Sequence, residues 1–179
     1  MQTRGSELQK LKPFLIPTLC LVLLDQMIKI IISSAFMQYD FNILGDLARF
    51  RPILNVHLSW VGNYINILSN PIVLVLLNLL VLFIFVSGYL LYKTKRKTTS
   101  FSVKIIMACG IAGCCCSLLD KLFWGGSLDF IQIPGFFTFD LKDCYLSAAE
   151  VLFVVIGIMH SKEISVKEYF RFCYKRFRV

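Results

Sequence analysis

Four long apolar runs separate short polar segments along the chain: Phe14 to Ile32, Ile72 to Tyr92, Val103 to Trp124 and Tyr145 to His160. Each reaches or approaches the roughly 20 residues an α-helix needs to cross about 30 Å of hydrocarbon, and no other stretch is long enough. The pattern predicts helices at about 14–32, 72–92, 103–124 and 143–160. The first run is longer than the apolar part of a cleavable signal peptide and holds Asp25 and Lys29, so it is expected to be retained. The connection over 33–71 is longer than turning the chain requires. Within it Leu54, Val56, Leu58 and Trp60 alternate with Asn55, His57 and Ser59, the period of a strand with one apolar face. Pro52 is expected to limit the start of that strand, Gly62-Asn63 to turn the chain, and 64–68 to supply a partner strand. The expected fold is an all-α membrane protein, a single domain over 1–179. It has four transmembrane helices, a small extracytoplasmic β-sheet between the first and second helices (33–71), and a basic C-terminal tail (161–179).

Composition agrees with a membrane as the solvent, because 57% hydrophobic residues in 179 exceeds what a soluble domain carries. The net charge of +8 changes the picture only through its distribution. Fourteen of the 19 Lys and Arg fall in three segments: before the first helix (Arg4, Lys10, Lys12), between the second and third (Lys93, Lys95, Arg96, Lys97, Lys104), and after the fourth (Lys162, Lys167, Arg171, Lys175, Arg176, Arg178). An even number of spans puts all three on one side, which the positive-inside rule makes the cytoplasm, with both termini there. Anchoring to anionic headgroups explains the charge, and no nucleic-acid partner is expected.

Seven cysteines raise the question of a metal or a disulfide. Cys20, Cys109, Cys114, Cys115 and Cys116 lie within predicted spans, and three consecutive thiols point around a helix rather than at one ion, so they read as small packing residues. Cys144 and Cys173 fall on opposite sides and are not expected to pair. His57 and His160 are likewise separated, and no Ser, His and Asp set shares a depth. Trp60 and Trp124 suit an interfacial aromatic belt. No metal and no cofactor are expected.

Ionisable residues at membrane depth cost about 2.5–3.5 kcal/mol each even on the gentlest scale, so each needs a partner or a polar cavity. Asp25 and Lys29 are four apart on one helix and can pair. Asp120 and Lys121 stand near the outer end of the third helix, Asp129 follows nine residues after Asp120, and Asp140 and Asp143 lie at the start of the fourth. If the third and fourth helices pack as antiparallel neighbours, Asp129 and Asp143 converge. Two close carboxylates in a low dielectric titrate as a unit, one keeping a proton while the other is charged, and such a pair can activate water against a peptide carbonyl without a metal. For Asp143 alone, a helix-capping role is as good a reading.

From Leu24 to Ala149 the residues resemble signal peptidase II. That family's Asp-Gln-x-x-Lys is matched by Asp25-Gln26-Met27-Ile28-Lys29, and its Asn-x-Gly-x-x-aromatic in part by Asn55 through Trp60. Its Gly-Asn-x-x-Asp-Arg, followed nine residues after that Asp by a catalytic Asp and a Phe, is matched by Cys116 to Lys121 and then Asp129-Phe130. Its Phe-Asn-x-Ala-Asp is matched by Phe139-Asp140-Leu141-Lys142-Asp143. The chain departs from the pattern at His57, Cys116, Ser117, Lys121, Asp140 and Lys142, where the family has Gly, Gly, Asn, Arg, Asn and Ala. Lys121 keeps a charge but lacks the planar fork of arginine. Asp140 beside Asp143 should raise the pair's proton affinity, with Lys142 partly offsetting it.

The resemblance implies a bacterial plasma-membrane aspartic endopeptidase, a monomer. It would remove signal peptides from diacylglyceryl-modified prolipoproteins just before the lipidated cysteine, at a site near the outer face. It implies Asp129 and Asp143 as the catalytic acids, with Asn55, Asp25, Lys29, Ser117, Asp120, Lys121 and Asp140 supporting substrate or site. The departures leave a second reading open, an inactive or weak homologue that binds lipoprotein precursors or a peptide inhibitor. A third is a small transporter or scaffold using the buried charges as a relay.

Overall fold

A computed structural model describes residues 2–56, 70–96, 98–159 and 165–177. Five helices and four strands follow in chain order: α1 (Gln2–Ile31), β1 (Phe41–Leu44), β2 (Ala48–Asn55), α2 (Pro71–Lys95), α3 (Phe101–Leu119), β3 (Ser127–Gln132), β4 (Thr138–Phe139), α4 (Leu141–Met159) and α5 (Val166–Phe177). Two π-helical turns extend α1 over Ile32–Phe36 and α3 over Asp120–Trp124. The helix starts follow local chemistry. Asn70 accepts a hydrogen bond from the Ile72 N–H at 2.9 Å with Pro71 in the first turn, where its missing N–H costs nothing, and Ser100 caps α3 through the Val103 N–H. Gly125, at φ 65°, takes the left-handed conformation that ends the α3 extension.

Among the described residues, three helices are long and apolar enough to cross a membrane: Lys10–Phe36, Pro71–Lys95 and Phe101–Trp124. Half of the apolar window of the third is buried inside the protein, against 17% for the first and 22% for the second, so α3 is the central helix and α1 and α2 present most of their surface outward. Leu15, Ile16, Leu19 and Leu23 of α1 and Ile72, Leu76, Leu79 and Leu80 of α2 are among the exposed apolar side chains, a surface suited to lipid. α4 is a helix of 19 residues whose first turn carries Lys142 and Asp143 and whose middle carries Glu150. It runs antiparallel to α3: Ile156 packs against the cluster that contains Val103 and Met107 at one end, while Leu146 meets Gly113 towards the other. A β-carbon on Gly113 would stand 2.6 Å from Leu146 Cγ and 3.3 Å from the Lys142 carbonyl oxygen, so this glycine sets how closely α4 approaches. All seven cysteines are free thiols, with Cys114 and Cys116 buried in the packing.

The strands form one antiparallel sheet in the order β1-β2-β3-β4. The sheet therefore draws on both the α1–α2 and the α3–α4 connections, where the sequence pattern had predicted one confined to 33–71. Asn55 pairs with Ser127, Leu54 with Leu128 and Ile53 with Asp129. Pro52 lies inside β2 rather than at its start. It sits at the irregularity between Phe50 and Ile53, where the ladder is interrupted and no N–H is required. The expected strand over 54–60 overlaps β2 only at Leu54 and Asn55; its continuation, the Gly62-Asn63 turn and the partner at 64–68 lie outside the described residues, as do His57, Trp60 and His160. Leu128 and Phe130, on alternate positions of β3, pack with Ile32 at the end of α1, which seats the sheet on the helices.

The basic tail is in part a helix. Glu168, Tyr169, Phe172 and Cys173 make the half-buried face of α5, the Tyr169 hydroxyl lies 2.7 Å from Ser87 Oγ, and Glu168 pairs with Lys95 at 2.7 Å. Replacing Gly113 with Val should force α4 away from α3 and lower stability by about 1–3 kcal/mol; a thermal-unfolding midpoint in detergent equal to that of the wild type would contradict this role.

Candidate active site

Charged side chains converge beneath the sheet. Lys29 points from α1 to Asp25 on its own helix (3.0 Å), to both oxygens of Asp120 (2.8 and 2.7 Å) and to Asp140 (2.6 Å), and all four side chains are essentially inaccessible. The expected pairing of Asp25 with Lys29 is present, and Asp120 and Asp140 complete it from two other elements. Gln26 donates to Asp25 at 3.0 Å and accepts from Trp124 Nε1 at 3.1 Å, tying the end of α3 to α1. Trp124 thus holds a specific partner inside the protein.

The second cation is Lys142, 6% exposed at the start of α4. Its Nζ stands 2.6 Å from Asp140, 2.5 Å from Ser127 Oγ and 3.2 Å from Asp120, then 3.9 Å from Asp129 Oδ1 and 3.8 Å from Asp143 Oδ1. Asp129 is 3% exposed and is held at both oxygens: Ser127 donates to Oδ1 at 2.7 Å and Asn55 to Oδ2 at 3.2 Å. These contacts follow from strand geometry. Ser127 and Asp129 are two apart and share a face of β3, while Asn55 is Ser127's cross-strand partner.

Asp140 and Asp143 form a reciprocal cap on α4. The Asp143 N–H donates to Asp140 Oδ1 and the Asp140 N–H to Asp143 Oδ2, each at 3.2 Å, the capping-box arrangement with Asp in both roles. This fixes Asp143 by one oxygen and leaves the other turned to the cluster. The Asp143 side chain is 41% exposed, so the cluster opens at this residue. One carboxylate oxygen from each of Asp129, Asp140 and Asp143 lies within 4.8 Å of the others. A single water can hydrogen-bond two oxygens at that separation. Three such oxygens could also hold a divalent cation, but the Lys142 ammonium already lies within 3.9 Å of all three acids.

Of the other expected site residues, Lys121 donates to the Ser117 hydroxyl (2.5 Å) and carbonyl (3.1 Å) one turn back, so these two form a pair of their own beside the cluster. Ser127 and the central position of Lys142 were not expected. Ser127 could have been found from its two-residue offset to Asp129; Lys142 stood out in the sequence only as a departure from the family pattern.

Five carboxylates (Asp25, Asp120, Asp129, Asp140, Asp143) face two ammonium groups here, so the cluster cannot be fully ionised at low cost and must hold protons. Asp140 is not where they sit: burial works to raise its pKa, but Lys142 and Lys29 outweigh it and hold the group below the usual carboxylate range. Asp129 goes the other way. Burial pushes it up, Lys142 and the Ser127 hydrogen bond offset only part of this, and Asp140 adds to the rise. Asp143, which precedes the apolar stretch of α4, is raised by burial and by Asp140 and Asp129 against the pull of Lys142. Of the three acids around Lys142 whose oxygens gather within 4.8 Å, Asp129 and Asp143 are thus the two held above the usual carboxylate range.

Apolar helices gathered round a buried cluster of carboxylates and lysines under a small sheet define a membrane protein with a candidate polar site. The chain belongs to the signal peptidase II family, a family of membrane peptidases: the model described as signal peptidase (SPase) II matches residues 17–159. Two solved structures, each of a bacterial membrane enzyme, share the fold. One has a TM-score of 0.67 at 16% identity, covering 87% of this chain and 93% of that one; the other has 0.63 at 17%, covering 81% and 92%. No curated protein sequence matches the chain significantly.

Replacing Lys29 with Met would leave three buried carboxylates short of their cation, a loss of about 3–5 kcal/mol. The expected outcome is a protein that inserts but unfolds at much lower temperature, read by thermal unfolding in detergent; an unchanged midpoint would contradict the assignment.

Proposed function

We propose that the chain is an intramembrane aspartic endopeptidase that removes signal peptides from diacylglyceryl-modified prolipoproteins, cutting just before the lipidated cysteine. The observation that carries this is the approach of Asp129 and Asp143 to within 4.8 Å, one buried and one accessible, in a member of the signal peptidase II family. One acid, ionised, takes a proton from a bridging water as the water oxygen bonds to the scissile carbonyl carbon. The other, protonated, donates to the carbonyl oxygen and then, as the C–N bond breaks, the leaving nitrogen receives a proton from the pair. Asn55 and Ser127 orient Asp129, and the α4 cap orients Asp143. Asp25, Lys29, Asp120 and Asp140 hold the frame, with the Ser117–Lys121 pair beside it.

In this reading the apolar stretch Tyr145–Met159 of α4 is the fourth span, both termini are cytoplasmic, and the site lies near the outer face of a bacterial plasma membrane. The basic segment 93–104 stands at the ends of α2 and α3 remote from the sheet, which supports that orientation. The acyl chains of the substrate would remain in lipid while the bond is held at the depth of the acids. A monomer suffices, since every group invoked belongs to one chain.

A second reading, a homologue that binds precursors or a peptide inhibitor without cutting, is favoured by one observation: Lys142 lies between the two acids. Incubation of the purified protein with a lipidated precursor peptide separates the two. Appearance of both fragments selects the peptidase, and binding without fragments selects the homologue. In the first case Asp129→Asn and Asp143→Asn should each lower turnover by about 10²–10⁴-fold with membrane insertion intact; retained turnover in either would refute the assignment.

The pH dependence follows in sign. The pair works with one proton, so the rate falls on the acid side when both groups are protonated and on the alkaline side when both are ionised. Because Asp129 and Asp143 are both raised, the active window should lie above the usual carboxylate range. A pH–rate profile centred below that range would contradict the assignment.

A further inference from the structure

The Lys142 ammonium lies between the two proposed acids, 3.9 Å from Asp129 and 3.8 Å from Asp143, and its shortest acidic contact is Asp140 at 2.6 Å. Ser127 Oγ at 2.5 Å gives the atoms of a serine–lysine hydrolase, in which a neutral amine would deprotonate the hydroxyl. The surroundings exclude that role. Desolvation works against the charged form, but Asp140, Asp143, Asp120 and Asp129 outweigh it and hold the proton on the amine well above the usual lysine range. A permanently charged ammonium cannot act as a base. It can act on the carboxylates it bridges.

We propose that Lys142 is a positioning residue of the site: with Asp140 as its partner, it is the bridging counter-charge that sets how many protons the Asp129–Asp143 pair carries and hence the pH range in which the pair works. This rests on the reading of Asp129 and Asp143 as the working acids. Other charges bear on the same cluster. Lys29 of α1 is bound to Asp25, Asp120 and Asp140, Asp120 also stands 3.2 Å from Lys142, and Lys121, after α3, is bound to Ser117 and bears on Asp120 and Asp143. Of the acids around Lys142, Asp140 is the one it touches most closely. A lone lysine between the acids would favour their fully ionised form and strip the pair of its proton; Asp140 at 2.6 Å takes up much of that charge and leaves the proton in place. The two residues carry opposite charges beside the same acids, so their effects on those acids should oppose and, in combination, largely cancel.

The test is a pH–rate profile on the lipidated precursor peptide for the wild type, Lys142→Met, Lys142→Arg, Asp140→Asn and the Lys142→Met/Asp140→Asn double variant. In parallel, the same full-length proteins are titrated by infrared spectroscopy of the protonated-carboxyl band, assigned as the part lost in Asp129→Asn and Asp143→Asn. Removing the cation should move both limbs of the profile, and the carboxyl titration, to higher pH by about one to three units. Removing Asp140 alone should move them to lower pH, the double variant should return them towards the wild type, and Lys142→Arg should leave them in place. A purely structural Lys142 would change the amount of folded protein without moving the titration. Coincident titrations for the wild type and Lys142→Met, or for the wild type and Asp140→Asn if the lysine variant does not fold, would overturn the proposal. If the wild type cleaves nothing, the peptidase reading fails on its own, and the infrared titration still decides this one.

Discussion

The structure depends on the matching of buried charge. Lys29, braced by Asp25 on its own helix, joins α1 to the ends of α3 and α4 through Asp120 and Asp140, and each of those contacts is made where water is excluded. In that setting a missing partner costs several kcal/mol, so three helices that lipid would otherwise let slide past one another are fixed in register. Apolar packing between α3 and α4 adds area, but the ionic knot supplies direction. The sheet then lies over the knot, with Leu128 and Phe130 on the helices and Asp129 turned to the charges.

A frame of this kind also sorts protons. Asp140, gripped at 2.6 Å by both lysines, is held below the usual carboxylate range, whereas Asp129 and Asp143, held mainly by neutral donors and peptide N–H groups, are pushed above it. One set of side-chain types thus does two jobs, divided by a difference of about an ångström in distance to an ammonium. The 16–17% identity to the two bacterial membrane enzymes at TM-scores of 0.63–0.67 shows how far residues can drift while helices and sheet keep their arrangement.

Much of this was legible in the sequence because the membrane imposes it. Apolar run length located α1 to α4 to within a few residues at most boundaries, and the four-residue spacing of Asp25 and Lys29 announced their contact. The meeting of β2 with β3 was not legible, because strand pairing across some 70 residues leaves no local periodicity, and Pro52 at a bulge gave a misleading start signal. Ser127 was overlooked because it matched no motif. α5 was read as charge alone, although Tyr169 and Phe172, three apart, carried the helical signal that its contacts with α2 make use of.

The cap on α4 has a consequence for how the site can move. Asp143 is aimed only while the first turn of its helix is wound, since the oxygen that fixes it binds the backbone of Asp140. Fraying of that turn would swing the acid out while Asp140 stayed anchored to the two lysines by its other oxygen, so on the proposed peptidase reading local melting and loss of chemical competence are one event. On the same reading, a ligand that wedges into this turn would silence the protein without touching the reacting atoms.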